Sequence, residues 1–175
     1  MAVCSLFFIG FIVGFTMDDE NVDIAALQQE VQQHENYISA HETLNPEVSK
    51  VTVGWHVYHS LLTVNEVYAA MQQSDPDTYK NRFNPRRAIM FTMNKIPRGR
   101  AQSPEVVLPP QHFTKNDLLL QLQKAEENLV KIDSLPENAF FNHPYVGSLN
   151  REQTKKFLWI HTRHHLGIIR DIVRE

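Results

Sequence analysis

Apolar residues recur along this chain at alternating intervals of three and four, and that rhythm predicts helices almost throughout. Near the C-terminus Leu158, His161, His165, Ile168 and Ile172 share one face of a helix over about residues 150–173. Ile24, Leu27, Val31, His34 and Ile38 repeat the spacing and predict a first long helix over about residues 21–41. A second long helix, residues 52–73, carries two lines: Val57, Leu61, Val64, Tyr68, Met71, and Trp55, His59, Leu62, Glu66, Ala69. A third, residues 114–134, has Leu118, Leu122, Ala125, Leu129 and Ile132 as its stripe. Thr52 suits an N-cap, and Thr114-Lys115-Asn116-Asp117 and Asn150-Arg151-Glu152-Gln153 read as capping boxes. Pro85 suits the first turn of a short helix over residues 85–94. No strand pattern, internal repeat or glycine-rich phosphate loop is visible.

Four long amphipathic helices predict an all-α fold, a four-helix bundle. The connectors between the first and second and between the third and fourth helices are short enough for antiparallel neighbours. About forty residues separate the second from the third, enough to run the length of the bundle as a crossover. Within that crossover, residues 97–111 hold four prolines and predict an ordered excursion over a pocket. Residues 136–148 predict a loop whose aromatics plug the bundle end.

Composition changes this picture little, except at the two ends of its range. A chain of 175 residues can bury a core as one domain without disulfides, and Cys4 is the only cysteine. The net charge of -3 speaks against a general nucleic-acid binder. Residues 6–15 are almost wholly apolar, but the uncharged run of residues 1–17 is short for a membrane span. Three readings follow: a signal or membrane-anchoring segment, a hydrophobic arm docked on the domain, or a mis-assigned start with the chain truly beginning at Met17. The expected organisation is an apolar segment, residues 1–16, and a helical domain, residues 17–175. The expected location is the cytoplasm, or a membrane-anchored or exported state if the apolar segment is genuine.

Nine histidines are the compositional oddity. His161 and His165 stand one turn apart on an otherwise apolar face, a spacing that lets two imidazoles share one metal ion. His164 points about 100° away. His59 faces inward one turn after Trp55, and would complete a set of three neutral imidazoles with an open position. His56 sits between the two lines of its helix, and His34 and His41 read as core and helix-end histidines. The alternative for all of them is a hydrogen-bonded core histidine. Glu66 and His143 are acid–base candidates by location alone. Arg82, Arg86, Arg87, Lys95, Arg98 and Arg100 form either a solvated face or a clamp for an anionic substrate.

Three stretches carry a family resemblance: Thr52-Val53-Gly54-Trp55-His56-Val57-Tyr58-His59, His161-Thr162-Arg163-His164-His165, and His143-Pro144-Tyr145-Val146-Gly147-Ser148-Leu149. From about Asp23 onward the chain resembles an uncharacterised branch of the DinB/YfiT-like superfamily of metal-binding four-helix bundles. The resemblance implies up-down-down-up topology and frequent homodimers. It also implies a divalent metal ion, zinc or nickel, held by His59, His161 and His165. It further implies a metal-dependent transferase or hydrolase using a small-molecule substrate, such as a low-molecular-weight thiol, or water. The competing expectations are a non-catalytic metal-binding protein and a helical interaction protein, membrane-tethered through the N-terminal segment.

Overall fold

The helical rhythm is realised in the computed structural model, which describes residues 22–99 and 102–174. The apolar segment 1–16, the alternative start at Met17 and Arg100 lie outside the described residues. The helices are α1 (Ile24–Gln32), α2 (Glu35–Ile38), α3 (Val53–Gln72), α4 (Pro85–Met93), α5 (Lys115–Asp133) and α6 (Arg151–Val173). Their starts follow local chemistry. The Thr52 side chain accepts from the Trp55 amide, and both expected capping boxes, at Thr114 and Asn150, are formed. Pro85 occupies the first turn of α4.

The predicted first helix is broken in two. After Val31 the backbone tightens: the amides of His34, Asn36 and Tyr37 reach back three residues, to Val31, Gln33 and His34. His34 Nδ1 also takes the Val31 carbonyl at 2.9 Å, so its ring competes for a helical acceptor. The inner line survives the break, with Leu27, Val31, His34 and Ile38 all buried.

A second departure is the short hairpin β1 (Phe141–His143) and β2 (Gly147–Leu149), where a plain loop was expected. Strands of three residues are too short to show an alternating pattern. The pairing sets Phe141 opposite Leu149 and His143 opposite Gly147. Gly147, at φ +80°, takes the left-handed conformation that opens the return strand. Phe141, Val146 and Leu149 are buried, whereas Phe140 is only partly buried and Tyr145 is exposed, so one aromatic of the expected plug fills the core.

The helices α1 and α3 each pack on both α5 and α6. Across α3 and α6 the contacts run in opposite senses, His56 to His165 and His59 to His161. Across α3 and α5 they rise together: Gln121 Nε2 donates to the Tyr58 hydroxyl, and Asn128 Nδ2 to Asn65 Oδ1 at 2.9 Å. Asn65 Nδ2 also donates to Gln121 Oε1 at 2.7 Å, so two buried amides satisfy one another where the stripes predicted only apolar packing. Glu30 faces Arg163, and Gln33 receives Arg170, so α1 and α6 rise together as well. No helix among the described residues is long and apolar enough to cross a membrane.

Of the described glycines, the one at the entry to α3 is the most closely packed. The Gly54 amide donates to the His41 carbonyl at 2.8 Å. A Cβ placed on Gly54 would lie 2.8 Å from that oxygen and 2.9 Å from the Phe113 ring. Gly54→Ala is therefore expected to destabilise the protein by about 1–3 kcal/mol. Urea unfolding would measure it, and an unchanged midpoint would show that the segment before α3 yields freely.

Candidate metal centre

Three side chains from two helices converge. His59 comes from α3, and His161 and His165 come from successive turns of α6. One ring nitrogen of each lies within 4.8 Å of the other two, the spacing a single ion could bridge. The ring centroids are 5.2 Å apart for His59 and His161, 4.7 Å for His59 and His165, and 4.5 Å for His161 and His165. Antiparallel packing of α3 on α6 brings them together, and the i, i+4 spacing stacks the α6 pair on one face. These are the three residues the apolar stripes single out.

Each imidazole has its own surroundings. His59 Nδ1 donates to the Val107 carbonyl at 2.8 Å, which leaves Nε2 with a bare lone pair. Trp55 stacks on the same ring at 4.9 Å and 15°. Val107 belongs to a 3₁₀ turn, Glu105–Val107, inside the proline-rich excursion, so that excursion reaches the cluster and orients one of its rings. His165 Nδ1 meets His56 Nδ1 at 3.0 Å, and His56 Nε2 meets Ser49 Oγ at 2.9 Å. His161 Nδ1 is buried and has no hydrogen-bond partner among the described residues. An unsatisfied buried nitrogen is costly, and an ion or a trapped water would relieve it. Three imidazoles that each bring a ring nitrogen within 4.8 Å of the other two therefore fit a divalent ion.

Burial holds the cluster neutral. His59 is pushed below its ordinary pKa by desolvation, against the opposing Val107 hydrogen bond. His161 and His165 are pushed well below it, by desolvation first and then by the neighbouring histidines. His56 falls to about 4, by desolvation and then by repulsion from His59, His164 and Arg98. His164 also falls to about 4, again mainly by desolvation. Neutral rings are what a metal requires, and proton competition is displaced to pH values below the 6.5 of a free imidazole.

Several sequence expectations change. His56, expected between the apolar lines, is buried and hydrogen-bonded to a cluster histidine. The reason is that α3 is enclosed nearly all round, with His56, Ser60, Thr63 and Val67 forming a third buried line. That line was visible as a further 4-3-4 spacing in a helix whose sole charged residue is Glu66. Arg87 is not available as an anion clamp. Its guanidinium is buried and donates to the Ser148 and Arg82 carbonyls and to Asn81 Oδ1, pinning the hairpin to the approach of α4. Arg98 is engaged with Asp171 at 2.6 Å, while Arg82, Arg86 and Lys95 are exposed. Glu66 lies seven residues beyond His59 on α3, about 10 Å along the axis, too far to join the cluster. His143 is separated from His161 by the Phe157 ring, and its Nδ1 accepts from the Tyr145 and Val146 amides. His34 is a fully buried core histidine, as expected.

A family model described as protein of unknown function (DUF1569) matches residues 84–171, half of the chain. The match takes in His161 and His165 and stops short of α3 and His59. It carries no link to the DinB/YfiT-like superfamily. No curated protein and no solved structure matches.

The depressed pKa values have a consequence for stability. Below about pH 6.5 the unfolded chain takes up protons on histidines that the folded protein keeps neutral until near pH 4. The unfolded state then binds more protons, so stability is full above about pH 6.5 and falls as the pH drops from there to about 4. Each histidine held neutral contributes at most about 1.4 kcal/mol per pH unit across that window. Urea midpoints of metal-free protein at pH 7, 6, 5 and 4 should fall steadily. A flat profile over that range would mean that the folded state protonates these rings at their ordinary pKa.

Proposed function

The chain belongs to the family described as protein of unknown function (DUF1569), and we propose that within it this protein binds a divalent metal ion through His59, His161 and His165. The observation that carries the reading is the convergence of three neutral imidazole nitrogens from α3 and α6. Zinc or nickel suits such a set, since borderline ions prefer imidazole. The resemblance to the DinB/YfiT-like superfamily supports the same reading. So do the helix contacts, whose senses are those of an up-down-down-up four-helix bundle with the crossover between α3 and α5.

Three protein ligands leave a position for a substrate, and an ion there would supply a lowered pKa to a water or a low-molecular-weight thiol. We read the protein on that basis as a transferase or hydrolase acting on a small molecule, in a homodimer. The residues of the chain bind and orient. Val107 sets the His59 ring, and Trp55 covers its face.

Elemental analysis of purified protein should give one divalent ion per chain. His59→Ala, His161→Ala and His165→Ala should each lower affinity by orders of magnitude in a chelator competition. His164→Ala should leave the stoichiometry unchanged. Full occupancy in the His161 and His165 variants would sink the assignment. An occupied site that exchanges water or takes up a thiol, seen spectroscopically with cobalt, would separate an enzyme from a storage or interaction protein.

A further inference from the structure

We infer that Ser49 and His56 form an outer hydrogen-bond chain that positions His165 and fixes it as an Nε2 ligand; this rests on the three-histidine reading above. The chain runs from Ser49 Oγ to His56 Nε2 at 2.9 Å, and from His56 Nδ1 to His165 Nδ1 at 3.0 Å. Ser49 is itself anchored: its amide donates to the Asn45 carbonyl at 2.9 Å, and its hydroxyl oxygen accepts from the Val51 amide at 3.2 Å.

Two facing Nδ1 atoms share one proton, so the link has two directions. With His56 as donor, a neutral His165 carries its proton on Nε2 and cannot ligate there. With His165 as donor, Nε2 is bare. His56 is then protonated on Nε2 and donates to Ser49 Oγ, which has a lone pair to receive it. Only the second direction is compatible with ligation, and it pairs both ring nitrogens of His56 and the Nδ1 of His165, leaving the hydroxyl proton of the half-buried Ser49 to solvent. His59 reaches the same state by a simpler route, since the Val107 carbonyl can only accept. Partners of this kind orient ligand rings and raise their basicity. Both His56 and His165 are buried, so bulk water is a poor substitute.

The test uses the full chain, with zinc affinity measured by chelator competition. His56→Leu removes the acceptor and should weaken binding roughly 10–100-fold. His56→Asn can place Oδ1 near the Nδ1 position and should recover most of that loss. Ser49→Ala removes the far end of the chain and should weaken binding severalfold. A readout that simple destabilisation would not move is the proton spectrum of the cobalt-loaded protein in water. The His165 ring N–H should appear as a slowly exchanging, shifted signal in wild type and His56→Asn. It should be lost to exchange in His56→Leu, while the His59 signal persists. Wild-type affinity and an unchanged N–H signal in His56→Leu would overturn the proposal. So would equal loss of both in His56→Asn, which also decides the matter if His56→Leu fails to fold. A wild-type protein that binds no ion would sink the metal reading itself, and this one with it.

Discussion

Placing several imidazoles in a desolvated layer between α3 and α6 imposes a constraint that reaches well beyond the two helices. A buried ring nitrogen without a partner costs on the order of 1–3 kcal/mol, so each ring recruits neighbouring groups. His59 draws in the Val107 carbonyl and with it part of the excursion between α4 and α5. His165 draws in His56, and His56 draws in Ser49 from the turn before α3. These hydrogen bonds add to the backbone bonds and apolar burial that already hold the two connectors. Within the cluster, His161 Nδ1 is buried and has no hydrogen-bond partner among the described residues.

Much of the fold was legible because its signals are local. Thr52, Thr114 and Asn150 cap helices through bonds to residues three positions on, and such bonds depend on no distant part of the chain. The inner stripes were equally legible, since burial follows helical spacing. His161 and His165 could be paired for the same reason, and His59 could be added because it follows Trp55 by one turn, although Trp55, Leu62, Glu66 and Ala69 on that line are only partly buried.

What escaped the sequence depends on contacts between distant segments. The break at His34 turns on a ring competing for the Val31 carbonyl, while the apolar spacing runs on unbroken. The two-strand hairpin is too short to leave a period. Arg87 looks like any exposed cation until its three acceptors, at Asn81, Arg82 and Ser148, are brought around it by folding. In the sequence His56 falls between the two apolar lines of α3, outside the arc they mark as buried. A helix with one charged residue in twenty is buried on more than two lines, and its third line is where the outer partner of His165 lies.

The surroundings of the cluster also bear on what it can accept. In many metal sites a ligating histidine donates to a carboxylate, which returns part of the ion's charge. Here the partner of His59 is a peptide carbonyl and that of His165 is a neutral imidazole. The titratable neighbours that act on His56 and His165 are other histidines and, for His56, Arg98, and none of these supplies negative charge. A divalent ion held by three neutral rings would keep its full double charge in a poorly solvated place, and that charge must be met from the open position. An ion bound on the proposed three histidines would therefore be better matched by an anionic fourth partner than by a neutral one. The positive field of such an ion would further disfavour protonation of the surrounding histidines, so ion binding and imidazole neutrality would reinforce one another.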